Sequence, residues 1–168
     1  MAPENQKTAF ATVGTTSFDA LVDQLISKDF LQTLHEQDYQ RLVIQYGRGI
    51  TEPQSRIVHG VEVRAYRYKP SIREDLENAD LVIGHAGAGS VLETLTLNKR
   101  LLVVVNETLM DNHQAELAEE FASQGFLHWT TVSKLPTVFP ALDWRNIKKY
   151  QPGKPELFAQ YIDDFFGI

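Results

Sequence analysis

Leu81-Val82-Ile83-Gly84-His85-Ala86-Gly87-Ala88-Gly89-Ser90-Val91-Leu92-Glu93 joins two kinds of local order. The apolar residues Leu81 to Ile83 read as a buried strand, which runs into a turn of glycine and alanine. The chain then resumes with the spacing of a helix, from Ser90 to about Leu97. A strand that breaks on glycine and restarts as a helix belongs to a βαβ unit. Glycines let a backbone approach a ligand closely, and the following helix directs free N–H groups and its positive dipole end at the gap. The segment therefore predicts an anion site, suited to a phosphate or pyrophosphate, beyond the carboxyl end of a strand.

The same alternation extends both ways. Downstream, Leu101 to Val105 reads as a strand. Asn112 to Gln124 reads as a helix with Ala115, Ala118 and Ala122 beside Leu117 and Phe121, and Gly125 ends it. Leu127 to Trp129 is a last short strand, the stretch from Pro136 to Pro152 is less regular, and Pro155 to Phe166 closes the chain as a helix. Upstream, Thr8 to Val13 is the first strand, Gly14 to Ser17 a turn, and Phe18, Leu21, Val22 and Leu25 one face of a helix. Arg41 to Gln45 and Val61 to Arg67 are strands, the first followed by Gly47-Arg48-Gly49. Ser71 to Asn78 is a short helix with Ser71 and Glu74 in the positions of a capping box. Strands alternating with helices predict an α/β fold: a Rossmann-like, mainly parallel sheet with helices on both faces, in one domain spanning residues 1–168.

A length of 168 residues with 43% hydrophobic side chains suits one such domain. Two Rossmann-like domains of roughly 100–200 residues each do not fit. The net charge of -6 argues against a nucleic acid partner. Without cysteine there is no disulfide framework and no thiolate metal site. No His, Asp and Glu set has metal-ligand spacing, so neither a metal nor another cofactor is expected. Leu101 to Val105, the longest apolar run, falls far short of the roughly 20 residues of a membrane span. With a polar stretch from Met1 to Lys7, a cytosolic protein is expected, attached to a membrane only through a partner.

The glycine spacing is not G-x-G-x-x-G and no G-x-x-x-x-G-K-[ST] occurs, which argues against a dinucleotide fingerprint and a P-loop. His85-Ala86-Gly87-Ala88-Gly89-Ser90 with Glu93 resembles the donor-binding motif of GT-B glycosyltransferases. The resemblance implies a turn facing the donor diphosphate, with Glu93 on the ribose hydroxyls. Asp111-Asn112-His113-Gln114 resembles the element contacting the transferred sugar in that family, and Thr12 to Ser17 the glycine turn opening its C-terminal domain. Through Phe10 to Asp19, Gln45 to Gly49, Tyr66 to Tyr68, Asp80 to Gln114 and the closing Pro152-Gly153-x-Pro155-Glu156, the chain is similar to the catalytic subunits of heterodimeric UDP-N-acetylglucosamine transferases of dolichol-linked N-glycan assembly. That resemblance implies equivalence to the C-terminal half of a GT-B enzyme, with UDP-GlcNAc as donor and GlcNAc-diphosphate-dolichol as acceptor. It also implies inversion at the anomeric carbon, no bound metal, and a membrane-anchored, acceptor-binding partner at the cytosolic face of the endoplasmic reticulum. A UDP-sugar-binding module without catalysis is the alternative.

The implied donor-binding residues are Gly14, Thr15, Thr16, His85, Ala86, Gly87, Ala88, Gly89, Ser90, Glu93, Asn112 and Gln114. Several have a structural alternative. Ser90-x-x-Glu93 and Asp111-x-x-Gln114 both have capping-box spacing, and Asn112 suits an N-cap. Thr15, Thr16 and Ser17 suit either a β-phosphate or the cap of the first helix. His85 either meets a phosphate or packs beneath the turn. Gly47-Arg48-Gly49 supplies in Arg48 either a mobile cation after the second strand or a plain exposed loop arginine. No residue is assigned as catalytic base. In the closing helix, Phe158, Tyr161, Ile162, Phe165 and Phe166 form an apolar stripe expected to face the partner, with packing on the chain's own sheet as the alternative.

Overall fold

The computed structural model describes residues 6–108, 113–151 and 163, and among these seven strands form one sheet. The elements are β1 (Thr8–Thr12), α1 (Asp19–Leu25), α2 (Lys28–Glu36), β2 (Arg41–Gln45), β3 (Arg56–Val58), β4 (Val61–Tyr66) and α3 (Arg73–Asn78). They continue with β5 (Leu81–Gly84), α4 (Ala88–Thr96), β6 (Arg100–Val105), α5 (His113–Ser123), β7 (His128–Thr131) and α6 (Leu135–Val138). The sheet order is β3-β4-β2-β1-β5-β6-β7, and only the β3–β4 pair is antiparallel. From β1 the parallel chain winds outward through β2 and β4, returns to β5, and winds outward on the other side through β6 and β7. The winding direction reverses between β1 and β5, so their carboxyl ends flank a crevice of the kind in which Rossmann-like sheets bind ligands.

Alternate residues of the central strands feed opposite faces. Ala9, Ala11, Leu42, Ile44, Val63, Ile83 and Leu102 pack against Leu21, Val22 and Leu25 of α1 and Phe30, Leu31 and Leu34 of α2. Phe10, Val82, Leu101 and Val103 pack against Leu76 of α3, Val91 and Leu95 of α4, and Leu117 and Phe121 of α5. Burial on both faces explains why β5 and β6 read as unbroken apolar runs. On the second face β2 and β4 contribute only the partly buried Val43 and Tyr66. There Arg41, Glu62, Arg64 and Tyr66 help line an open cavity of about 500 Å³.

Several local expectations need correction. The sequence reading has neither α2 nor the edge strand β3. Ser27 caps α2, accepting the Phe30 N–H at 3.2 Å. The capping box of Ser71 and Glu74 does not form: α3 starts at Arg73 behind Ile72, and the Ser71 hydroxyl accepts the Arg73 N–H at 3.1 Å. Gly125 does end α5, with φ +85° and its N–H bonded to the Ala122 carbonyl at 3.0 Å. Of the closing helix over 155–166 only Asp163 is described, and it is helical; Phe158, Tyr161, Ile162, Phe165 and Phe166 lie outside the described residues, as do Asp111 and Asn112. Among the described residues no helix is long and apolar enough to cross a membrane.

Candidate functional site

The crevice has one wall at the end of β1. Val13 donates its N–H to the Gln45 carbonyl at 3.2 Å, and the buried Thr12 hydroxyl donates to Gln45 Oε1 while accepting the Gly14 N–H at 3.0 Å. These buried polar groups are thus partnered, and the base of the turn is fixed. Gly14 turns with φ +65°. The Thr16 hydroxyl donates to the Val13 carbonyl at 2.8 Å, and the Thr16 carbonyl accepts the Arg48 N–H at 3.0 Å. α1 begins behind Phe18 without a side-chain cap, so Thr15, Thr16 and Ser17 do not cap it. The hydroxyls of Thr15 and Ser17 are exposed and have no partner among the described residues.

Gly47-Arg48-Gly49 backs this turn, and its backbone is held in place. A Cβ on Gly47, at φ +59°, would lie 2.2 Å from the Thr16 carbonyl oxygen, and one on Gly49 would lie 2.6 Å from Asp19 Oδ1. Arg67 donates from Nη1 to the Gly47 and Gly49 carbonyls, each at 3.0 Å, and lies 4.9 Å over the Tyr46 ring. Arg67, absent from the sequence candidates, is the cation that orders the loop, while the Arg48 side chain stays exposed. Nothing in the spacing between Gly49 and Arg67 signals that clasp. It depends on the pairing of β2 with β4.

The opposite wall is the turn after β5. His85 donates its N–H to the Thr12 carbonyl at 3.2 Å, and its ring fills the angle between the walls. A Cβ on Gly14 would lie 3.0 Å from His85 Cε1, and one on Gly87 would lie 2.6 Å from Nε2. Nδ1 is buried without a hydrogen bond among the described residues. Burial lowers the imidazole from its ordinary value, against a smaller opposing pull from the Thr12 backbone. This geometry matches the packed alternative for His85.

α4 starts at Ala88, not Ser90, because Gly87 takes the N-cap position with no side-chain cap. Its first turn closes with Val91 N–H on the Gly87 carbonyl at 3.0 Å, which leaves the N–H groups of Ala88, Gly89 and Ser90 ahead of that bond. Ser90 is already inside the helix, so the capping box with Glu93 does not form. The Glu93 side chain is half-buried and has no partner among the described residues. Ala86 packs into the second core, whereas a Cβ on Gly89 would meet nothing within 4 Å. Gly89 is therefore the turn glycine that packing does not require.

The far side of the crevice is partly described. Gln114 falls in the first turn of α5, its side chain outside the described residues, and Asn112 is outside them altogether. At the root of that connection Glu107 accepts the Ser133 hydroxyl at 2.9 Å. Among the described residues no group of three or more His, Cys, Asp and Glu gathers to hold a metal. The crevice thus offers backbone N–H groups, a helix N-terminus, hydroxyls and one carboxylate, a set suited to a phosphorylated ligand that also carries hydroxyls.

Residues 8–144 match the model of the glycosyltransferase family 28 C-terminal domain. The chain is 49% identical over 134 residues to the mouse (Mus musculus) UDP-N-acetylglucosamine transferase subunit ALG13, which covers 80% of this chain but 12% of that much longer relative. The Kluyveromyces lactis subunit of the same name is 33% identical over 167 residues, covering 81% of this chain and 84% of the relative. A solution NMR structure of ALG13 superposes with a TM-score of 0.70 at 28% identity, over 94% of this chain and 98% of that one.

Proposed function

The chain belongs to the glycosyltransferase family 28 C-terminal-domain family, and from that membership we propose that it is the donor-binding subunit of a UDP-N-acetylglucosamine transferase. The observation that carries the reading is the crevice between β1 and β5. Two glycine turns converge there with the N-terminus of α4 and Glu93, which has no partner among the described residues. In this reading the donor diphosphate lies against the N–H groups of Ala88, Gly89 and Ser90 and the hydroxyl of Thr15, and Glu93 accepts hydrogen bonds from the ribose. Asn112 and Gln114 meet the sugar.

The proposed reaction moves GlcNAc from UDP-GlcNAc to GlcNAc-diphosphate-dolichol, the second step of lipid-linked oligosaccharide assembly. The acceptor 4-hydroxyl attacks the anomeric carbon, the bond from that carbon to the diphosphate oxygen breaks, and configuration inverts. Negative charge then grows on the departing UDP, where fixed N–H groups and a helix dipole stabilise it without a metal. The proton of the acceptor hydroxyl passes to a base on the acceptor side. Relatives named as subunits support a partner, proposed to be membrane-anchored at the cytosolic face of the endoplasmic reticulum and to supply the acceptor-binding half.

Transfer of labelled GlcNAc to a dolichol-type acceptor tests this directly. Activity is expected when chain and partner are combined, absent when either is omitted, and intact after chelation with EDTA. UDP-GlcNAc binding without transfer in the combined sample would reduce the chain to a binding module. Loss with EDTA that Mn²⁺ restores would refute metal-free stabilisation.

A further inference from the structure

We propose that His85 is a positioning residue whose ring sets the gap between the Gly14–Ser17 turn and the N-terminus of α4. The inference rests on the donor-binding reading above. Strand pairing aligns the two walls only at their base, where Thr12 stands opposite Gly84. Beyond it, the Gly14–Ser17 turn bonds towards β2, through Val13 to Gln45 and Thr16 to Arg48, and α4 bonds within itself. Among the described residues no hydrogen bond joins residues 14–17 to residues 86–90. What spans the crevice is the His85 ring, with its Nε2–Cε1 edge against both glycines.

The two glycines are shaped to that ring. At 2.6 Å from Nε2, a Cβ on Gly87 would be closer than real side chains come, and at 3.0 Å from Cε1 one on Gly14 would crowd it. A larger six-membered ring would overfill the same space, whereas a small side chain would let the walls drift together. Nδ1 has no hydrogen bond among the described residues, and the contact that locates the ring is the one its Nε2–Cε1 edge makes with the two glycines. Positioning of this kind matters because N–H groups serve a diphosphate only when they are held at its spacing.

The test is a double-mutant cycle on the full chain with His85→Ala, Gly87→Ala and the pair, reading UDP-GlcNAc affinity by calorimetry and melting temperature by circular dichroism. Each single change is expected to weaken UDP-GlcNAc at least tenfold. In the pair, the alanine at position 87 occupies space the ring has left, so the second change is expected to cost less than threefold. Uridine affinity should stay within twofold throughout, since the spacer acts on the diphosphate turns; a general loss of structure would lower it as well. Full UDP-GlcNAc affinity in His85→Ala, or equal costs of Gly87→Ala in both backgrounds, would overturn the proposal. If the wild-type chain itself binds no UDP-GlcNAc while melting temperatures still show the coupling, the donor reading fails and the ring–glycine contact stands. Should His85→Ala not fold, Gly87→Ala alone, which displaces the ring without removing it, must still show the tenfold loss.

Discussion

The cavity of about 500 Å³ over β2 and β4 is lined by Arg41, Glu62, Arg64, Tyr66, Lys69 and Asp75, whereas the crevice beyond β1 and β5 is walled by glycine, alanine and hydroxyl residues. Volume and charge favour the first. Yet its charges answer one another: Glu62 pairs with Arg41 at 3.1 Å and with Arg64 at 2.7 Å, and Asp75 pairs with Lys69 at 3.0 Å. The Tyr66 hydroxyl donates to Asp75, and burial, with that carboxylate beside it, pushes the phenol well above its ordinary value. In the crevice the hydroxyls of Thr15 and Ser17 and the carboxylate of Glu93 have no partner among the described residues, although the backbone around them is pinned. A solvated face satisfies itself, while a binding site holds hydrogen-bonding groups in reserve on a rigid frame.

Substitutions on the two regions should separate by orders of magnitude. Gly87→Val is expected to have the largest effect, a loss of UDP-GlcNAc affinity of about a hundredfold, roughly 2.7 kcal/mol, because its branches drive into the His85 ring. Calorimetry with UDP-GlcNAc checks it; retained affinity would mean that the α4 turn does not face the diphosphate. Glu93→Ala should follow at about tenfold weaker UDP binding, near 1.4 kcal/mol. The melting temperature should hardly move, since Gly87 rather than Ser90 is the N-cap and no capping box is lost. A lowered melting temperature with normal affinity would return Glu93 to a purely structural role.

Gly89→Ala comes next and sharpens the comparison most. A methyl group there meets no protein atom within 4 Å, and alanine in a helix is favoured over glycine by about 0.5–1 kcal/mol. Stability should therefore hold or rise while UDP affinity falls several-fold, a combination that only a ligand seated on that backbone produces. Arg64→Ala on the open face should do least. Its ion pair is exposed and worth at most about 1 kcal/mol, so thermal melting should shift slightly and UDP binding should not change. A clear loss of UDP affinity in that variant would give the open face a role in donor binding.

Much of this arrangement is legible in the sequence. The apolar run of Leu81–Ile83 breaking on Gly84 yields β5, and Ser90 through Leu95 yields most of α4, because strand and helix periodicity are local properties. The start of α4 is not legible: Ser90 and Glu93 imitate a capping box, and a glycine N-cap offers no side-chain signature to compete with it. α2 is missed although Ser27 and the spacing of Phe30, Leu31 and Leu34 announce it, while β3 is too short to show alternation. The family motif picks out the glycines of the crevice but not their division of labour. That Gly14 and Gly87 accommodate His85, whereas Gly89 stands free, depends on β1 and β5 being neighbours, which no local pattern states.

The central claim is that a donor diphosphate lies where the β1 and β5 turns converge. Titrating isotopically labelled chain with UDP-GlcNAc and following backbone amide shifts by NMR tests it most directly. The account predicts the largest shifts at Gly14 to Thr16 and Gly87 to Ser90, with Arg41, Arg64 and Tyr66 unmoved. Shifts concentrated on those three residues, with the two turns silent, would contradict it.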